Sequence, residues 1–273
     1  MNNKKILIGI LRSKENEFDI CLKKLKEQTY SNYNFFVIEN MPNKLAHDQL
    51  YTEFMSNSNN YHYFLKLDAD MVFVENDSLK KMVALFDQSI GHIMFYVNDI
   101  PSSLKTPGIQ MFKSDITWTF DNDSLRVDYA PNMNGLESRI FSDINVIDHM
   151  PMPSNFQLFS YGIHKAIKSI QPYIPNKTTK HLNKGLIHIS IINGISRNYL
   201  SGNHKLIWSL IGAMLVYKKV IEPINYMSDV NLGIFKEIEN DKVNFDLLVS
   251  DAKNFWLNEI QNMFSWSRLF HSI

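Results

Sequence analysis

The sequence predicts an α/β fold: a largely parallel sheet with helices on both faces, followed by a mostly helical extension. Three observations carry this. Short, continuous apolar runs alternate with helically patterned segments up to residue 97. Such runs suit strands buried on both faces, and strands alternating with helices suit a parallel sheet. Beyond Pro151-Met152-Pro153 only helical patterns follow, which sets a boundary near residue 154. Residues 1–154 read as a catalytic core, and residues 155–273 as a helical, basic extension on the acceptor side.

In order, residues 6–11 form an apolar first strand, and residues 17–28 place Phe18, Cys21, Leu22 and Leu25 at helical spacing. Residues 34–38 read as a second buried strand. Residues 44–55 are helical through Leu45, Leu50, Phe54 and Met55. Residues 63–67 make a third strand, 78–86 a helix capped by Asp77 or Ser78, and 92–97 a fourth strand. From 100 to 150, Pro101, Pro107, Gly108, Pro131 and Gly135 punctuate strand-like pieces at 109–113 and 145–148. Helices are expected at 155–169, 203–220 and 245–264. No internal repeat appears.

Composition bounds the function. The 273 residues are 45% apolar and 21% charged, as in soluble globular proteins. The one cysteine, Cys21, allows no internal disulfide and suits a reducing, cytoplasmic setting. The opening apolar run reads as a strand rather than a secretory signal. The longest apolar stretch, 206–217, is too short to cross a bilayer. Net charge is zero but segregated. Residues 149–221 hold eight lysines and Arg197, five histidines and no acidic residue. That asymmetry suits an anionic partner, such as a nucleotide diphosphate, a lipid-linked phosphate or an anionic membrane surface; pairing with the chain's own acidic parts accounts for it equally well. Nucleic acid is excluded by the neutral overall charge and the lack of a basic aromatic stacking motif.

The chemistry concentrates in Tyr63-Phe64-Leu65-Lys66-Leu67-Asp68-Ala69-Asp70, where a buried strand ends in two carboxylates. Carboxylates at such a place are costly unless paired. Hard ions such as Mg²⁺ or Mn²⁺ accept carboxylate oxygens and leave room for those of a diphosphate. The plain alternative is a turn with solvated acids. Ligands of parallel α/β sheets bind beyond the carboxyl ends of the strands, where Asp68 and Asp70 stand.

The first 100 residues resemble the nucleotide-binding half of a GT-A glycosyltransferase of the family-2 type. The first strand, the helix closing on Gln28-Thr29-Tyr30, the strand ending at Glu39-Asn40, and the D-x-D of Asp68-Ala69-Asp70 carry the likeness. Leu11-Arg12-Ser13 replaces the family's usual Pro-Thr-Tyr-Asn, and Glu39 its usual Asp. The resemblance implies a nucleotide-diphosphate sugar donor and a Mn²⁺ or Mg²⁺ ion, with Asp70 on the metal and Asp68 on the metal, a metal-bound water or the ribose. It implies a glycan or lipid-linked acceptor in surface polysaccharide synthesis, and the Asn/Lys/Ile-rich composition suggests a bacterial setting.

Further candidates are His149, a metal ligand at a strand-to-breaker junction, with His164 and His188 behind it. Glu39 suits a pyrimidine N–H, while Arg12 and Lys44 suit phosphate. A general base taking the acceptor's proton is sought in Glu137 or Asp128, with Asp123 trailing. Lys165 and Lys168 on the first extension helix face a lipid-linked diphosphate or headgroups. The aromatic stripe from Phe255 to Trp266 suits core, a homo-oligomer contact or peripheral docking on the inner membrane face. Rival readings are a sugar nucleotidyltransferase, which normally carries a Gly-rich first loop that is missing here, and a non-catalytic scaffold using the basic segment.

Overall fold

The computed structural model describes residues 4–87, 89–120, 132–135, 138–170, 179–221 and 228–270. The chain divides into two compact units, Met1–Ile100 with Leu104–Pro153, and Pro101–Ser103 with Ser154–Ile273.

The first unit runs β1 (Ile6–Arg12), α1 (Phe18–Lys26), β2 (Tyr33–Glu39), α2 (Asn43–Ser56), β3 (Tyr63–Asp68), β4 (Met71–Phe73), α3 (Ser78–Ala84), β5 (His92–Asp99), β6 (Leu104–Lys113), β7 (Thr117–Thr119), β8 (Asn132–Asn134), β9 (Arg139–Ser142) and β10 (Ile147–His149). The main sheet has the order β2-β1-β3-β6-β5-β10-β4, with β9 also paired to β5. β1 is parallel to β2 and β3, and β5 is parallel to β9 and β10. β6 runs against β3 and β5, and β4 against β10. The carboxyl ends of β1, β2, β3, β5 and β10 therefore lie along one edge of the sheet. β7 and β8 form a separate two-stranded ladder.

Alternation along the strands fills two cores. On one face Ile6, Ile8, Ile10, Leu65 and Leu67 pack with Phe18, Cys21 and Leu25 of α1 and Leu79 and Met82 of α3. On the other, Leu7, Phe64 and Phe112 pack with Leu50, Tyr51 and Phe54 of α2 and with Trp118. Phe54 stacks on Phe64 at a centroid distance of 4.8 Å. The expected α/β arrangement with helices on both faces is present.

Several expectations need correction. β2 is not fully buried: it is the sheet's outer strand, and Phe35 is 37% exposed. β6 begins at Leu104 and runs through Pro107 and Gly108. The ladder with β5 slips at Phe95/Tyr96, so Tyr96 faces Pro107 and the breaker pair is absorbed as a bulge. Asp77 precedes α3 but makes no capping bond; it pairs with Lys81 instead.

The second unit holds α4 (Asn155–Ile170), α5 (Thr179–Leu200), α6 (Ile207–Tyr217), α7 (Ser228–Asn240) and α8 (Lys242–Phe270). α5 and α7 were not foreseen. In α5, Gly185, Gly194, several asparagines and β-branched residues obscure the helical period. α6 is apolar all round and buried from Ile207 to Val216, as a helix enclosed by its neighbours must be. Ser209 Oγ donates to the Leu158 carbonyl at 2.7 Å, and Trp256 Nε1 donates to the Leu210 carbonyl at 3.0 Å. Trp256 is thus a core residue of this unit. The side chains of Leu257, Ile260, Met263, Phe264 and Trp266 lie outside the described residues. Lys165 and Lys168 are half-buried on α4, and Lys165 sits over the Tyr161 ring. Among the described residues, no helix is long and apolar enough to cross a membrane.

α4 and α6 approach with glycine on both sides. A Cβ on Gly162 would lie 2.7 Å from the Ser209 carbonyl carbon, and one on Gly212 would run into the Phe159 carbonyl. Backbone cannot yield as a flexible side chain can. Gly212→Val is expected to destabilise the protein by about 2 kcal/mol or more, read as a lowered urea midpoint. An unchanged midpoint would show that the helices separate freely.

Candidate functional site

The carboxyl edge of the main sheet gathers most of the candidate residues. Arg12 and Glu39 end β1 and β2 and are direct register partners. Their ion pair closes at 2.7 Å, with the Arg12 guanidinium 3.9 Å from the centre of the Phe18 ring. Each side chain is more than a third exposed, so the pair adds little stability. Lys44 lies in the first turn of α2 and pairs with Asp48 at 2.6 Å. Each of these three candidates thus has an intramolecular ion pair at the positions where base and phosphate contacts were sought.

Asp68 ends β3 on the α2 face, the same face as Phe64. Lys66, two residues earlier, shares that face. Its ammonium lies 2.7 Å and 2.9 Å from the two Asp68 oxygens. Burial alone would pull the Lys66 pKa down; Asp68 outweighs it and holds the pKa above its ordinary value. Lys66 was missed by the sequence reading, although a lysine inside an otherwise apolar strand was a visible signal.

Asp70 lies in the tight turn between β3 and β4. Register explains its partner. On β10, His149 faces Asp99 of β5 on one side and Met71 of β4, the neighbour of Asp70, on the other. The imidazole therefore stands between two carboxylates: Nδ1 is 2.7 Å from Asp99 Oδ1 and Nε2 is 3.3 Å from Asp70 Oδ2. Burial would lower the His149 pKa, but Asp70 and Asp99 together raise it to about 10. Asp99 is 1% exposed and was also missed. Its place at the carboxyl end of a parallel strand was the signal.

Glu15, in the loop after β1, adds a further carboxylate. Burial pushes its pKa up to about 7; the Ser13 backbone N–H opposes this, while Asp70 and Asp68 reinforce it. The same surroundings push the Cys21 thiol up to about 12, burial being the main cause. Cys21 is therefore an inert core thiol.

Backbone hydrogen bonds fix this edge. Ala69 N–H donates to Leu11 O at 2.9 Å, Met150 N–H to Asp70 O at 2.9 Å, and Ile100 N–H to His149 O at 3.2 Å. Met150 takes a left-handed φ of 53°, a conformation costing about 1–2 kcal/mol for a residue with a side chain. Two residues on, Met152 N–H donates to Glu17 Oε1 at 3.0 Å and Met152 O accepts from Asn16 Nδ2 at 2.7 Å. The first loop thereby holds the segment that carries His149.

A divalent cation fits this donor set. With Nδ1–H donated to Asp99, a neutral imidazole directs the Nε2 lone pair at Asp70, the arrangement in which a carboxylate orients a metal-binding histidine. The 3.3 Å between Nε2 and Oδ2 is close to the roughly 3 Å edge between adjacent ligands of an octahedral ion with bonds near 2.1 Å. Among the described residues, no group of three or more His, Cys, Asp or Glu side chains is placed to hold a metal by itself. His164 and His188 lie on α4 and α5 of the second unit. Glu137, Asp128 and Asp123 lie outside the described residues.

The fold and this edge define an α/β protein with a mixed sheet and helices on both faces. No protein-family model matches the chain, and no curated protein matches it. Among solved structures, it is similar to A197 from STIV, with 13% identity and a TM-score of 0.32 over 40% of this chain and 64% of that one. It is similar to a glycosyltransferase involved in glycosylation of the major capsid of PBCV-1, with 16% identity and a TM-score of 0.29 over 40% and 61%. A third likeness, to the mannosyltransferase PcManGT from Pyrobaculum calidifontis in complex with GDP-Man and Mn²⁺, has 12% identity and a TM-score of 0.38 over 92% and 87%. The chain spans less than two thirds of the first two structures. None of these likenesses bears on the activity of this chain, which rests on its own residues.

The site sets a pH dependence on the metal-free protein. The His149 pKa is raised from 6.5 to about 10, so its stabilising contribution is full below pH 6.5 and is lost as pH rises through 10. In chelator, the stability difference between wild type and His149→Gln is expected to shrink across that window. A difference independent of pH would contradict the bridging imidazolium.

Proposed function

We propose that this chain is a metal-dependent glycosyltransferase. It moves a sugar from a nucleotide-diphosphate donor to a glycan or lipid-linked acceptor, in bacterial surface polysaccharide synthesis. The observation that carries the reading is the meeting of Asp70, His149 and Asp99 at the carboxyl edge of the sheet, beside Asp68. In this reading residues 1–154 bind the donor, and residues 155–273 serve the acceptor side.

Sugar transfer breaks an anomeric C–O bond through an oxocarbenium-like transition state, while charge builds on the departing diphosphate. Asp70 and His149 would hold a Mn²⁺ or Mg²⁺ ion, the imidazole favouring Mn²⁺, and the ion would supply Lewis-acid neutralisation of that charge. Asp99 fixes the imidazole tautomer. Asp68 accepts from the ribose hydroxyls, and Glu39 accepts from a base N–H. Arg12 and Lys44 face phosphate after exchanging their present carboxylate partners. Glu137 or Asp128 takes the acceptor's proton. The basic residues of 149–221 attract an anionic acceptor or the inner membrane face, which agrees with a cytoplasmic, peripheral placement.

Calorimetry with UDP, GDP, dTDP and CDP, with and without Mn²⁺, tests the reading. At least one nucleotide is expected to bind in a Mn²⁺-dependent manner, and Asp70→Asn is expected to weaken that binding about tenfold or more. The reading fails if no nucleotide binds with metal dependence and Asp70→Asn behaves like wild type.

A further inference from the structure

β2 leaves one side of the main sheet open. It is an outer strand of seven residues, in unbroken register with β1. The outer strand at the other end, β4, has only three residues, all buried. Ile6 N–H donates to Asn32 O at 3.1 Å, and Asn40 N–H donates to Arg12 O at 3.0 Å. These bonds fix the parity: even residues of β2 turn their backbone N–H and C=O towards β1, while Tyr33, Phe35, Val37 and Glu39 turn theirs outward. Among the described residues, no strand pairs with that outward side. A cleft of about 500 Å³ borders it, lined by β2 and by Gln49, Glu53 and Asn57 of α2. Natural sheets protect such an edge with lysine, proline, a bulge or a very short strand. Tyr33-Asn34-Phe35-Phe36-Val37-Ile38-Glu39 has none of these, and Phe35 is 37% exposed.

We propose that the outer edge of β2 is the interface for a second copy of this chain, whose own β2 adds antiparallel about a twofold axis at Phe36. That register pairs the whole strand and sets outward-turned residues against one another. Phe35 exchanges both backbone hydrogen bonds with the partner's Val37, an aromatic against a β-branched side chain. Glu39, the only charged residue of β2, faces the partner's Tyr33, so no like charges stand opposite. Tyr33 Oη donates to Leu25 O at 2.8 Å, in the last turn of α1. The exposed Lys26 therefore borders that end of the strand. An antiparallel copy brings its Glu39 towards Lys26, and symmetry repeats the match. This charge complementarity and the fit of the strand to itself favour a second copy over a strand of unrelated sequence. The interface is independent of the transferase reading.

The contact is confined to one strand pair and its flanks, so the dimer is expected to be weak, with a dissociation constant on the order of 10–100 µM. Sedimentation velocity on the full chain, from about 5 µM to about 500 µM, is expected to show monomer passing to dimer. Phe35→Pro removes an outward N–H that β1 does not use, and Phe35→Lys puts a charge on the edge with the backbone intact. Each is expected to raise the dissociation constant about tenfold or more. The urea midpoint shows whether each variant is folded; if Phe35→Pro is not, Phe35→Lys carries the comparison. Amide exchange read by NMR locates the contact. The Phe35 and Val37 amides are expected to exchange about tenfold more slowly at high than at low concentration, while those of Phe36 and Ile38, turned towards β1 in either state, exchange alike.

The proposal is overturned if the chain stays monomeric to about 500 µM, which leaves the edge to a strand of another protein. It is overturned equally if a folded Phe35 variant associates as tightly as wild type, since the dimer then forms elsewhere. Exchange of the Phe35 and Val37 amides at one rate at every concentration overturns it as well. None of these results touches the nucleotide-binding test of the transferase reading.

Discussion

The site depends on one electrostatic constraint: four acidic side chains, Glu15, Asp68, Asp70 and Asp99, are brought to one edge of a sheet with an apolar core on each face. Burying an ion costs several kcal/mol even after relaxation. An opposite charge at about 4 Å returns roughly 4 kcal/mol at an effective dielectric near 20. One carboxylate therefore about balances the cost of burying a protonated imidazole, and a second tips it. His149 has two, which is why its pKa rises to about 10 despite its burial. Lys66 faces the same balance chiefly with Asp68, whose two oxygens lie within 2.9 Å of its ammonium, and Tyr51 and Asp70 add to it. At Glu15 burial wins, with Asp70 and Asp68 reinforcing it, and the pKa is pushed up to about 7.

Geometry makes this balance available. The β3–β4 turn needs only Ala69 and Asp70, and β4 then pairs with β10 rather than with β3. That detour sets His149 in register beside both Asp99 and the residue following Asp70. The segment after His149 is held by the strained turn at Met150 and by Asn16 and Glu17 from the first loop. A left-handed turn over-determined by surrounding hydrogen bonds holds that segment in one position.

Much of the first unit was legible because its signals were local. Continuous apolar runs gave β1, β3 and β5, and period-3.6 patterns gave α1, α2 and α3. The carboxyl-end rule drew attention to Asp68 and Asp70. What escaped was non-local. The exposure of β2 follows from its place at the sheet edge, which no property of residues 33–39 announces. β6 hid behind Pro107 and Gly108 because only the matching slip in β5 makes that pair tolerable. The role of Asp99 required knowing that β10 lies next to β5. The second unit was least legible: α5 carries no clear apolar stripe, and its buried Ile191, Ile192 and Ile195 become a face only once the helix is formed.

On the proposed reading, a proton and a metal compete for one atom of His149. In the metal-free protein, Nε2 of His149 carries a proton towards Asp70 while Nδ1 donates to Asp99. Removing the Nε2 proton leaves a neutral imidazole already in the tautomer and orientation that a cation beside Asp70 requires, because the bond to Asp99 is the same in both states. Little reorganisation then accompanies the exchange, and the raised pKa is its counterweight: the tighter the proton is held, the more an incoming cation must return in binding energy. On the proposed reading the donor's diphosphate supplies part of that return. Metal and nucleotide would then reinforce one another's binding, and neither would be held strongly alone by a site with two protein ligands.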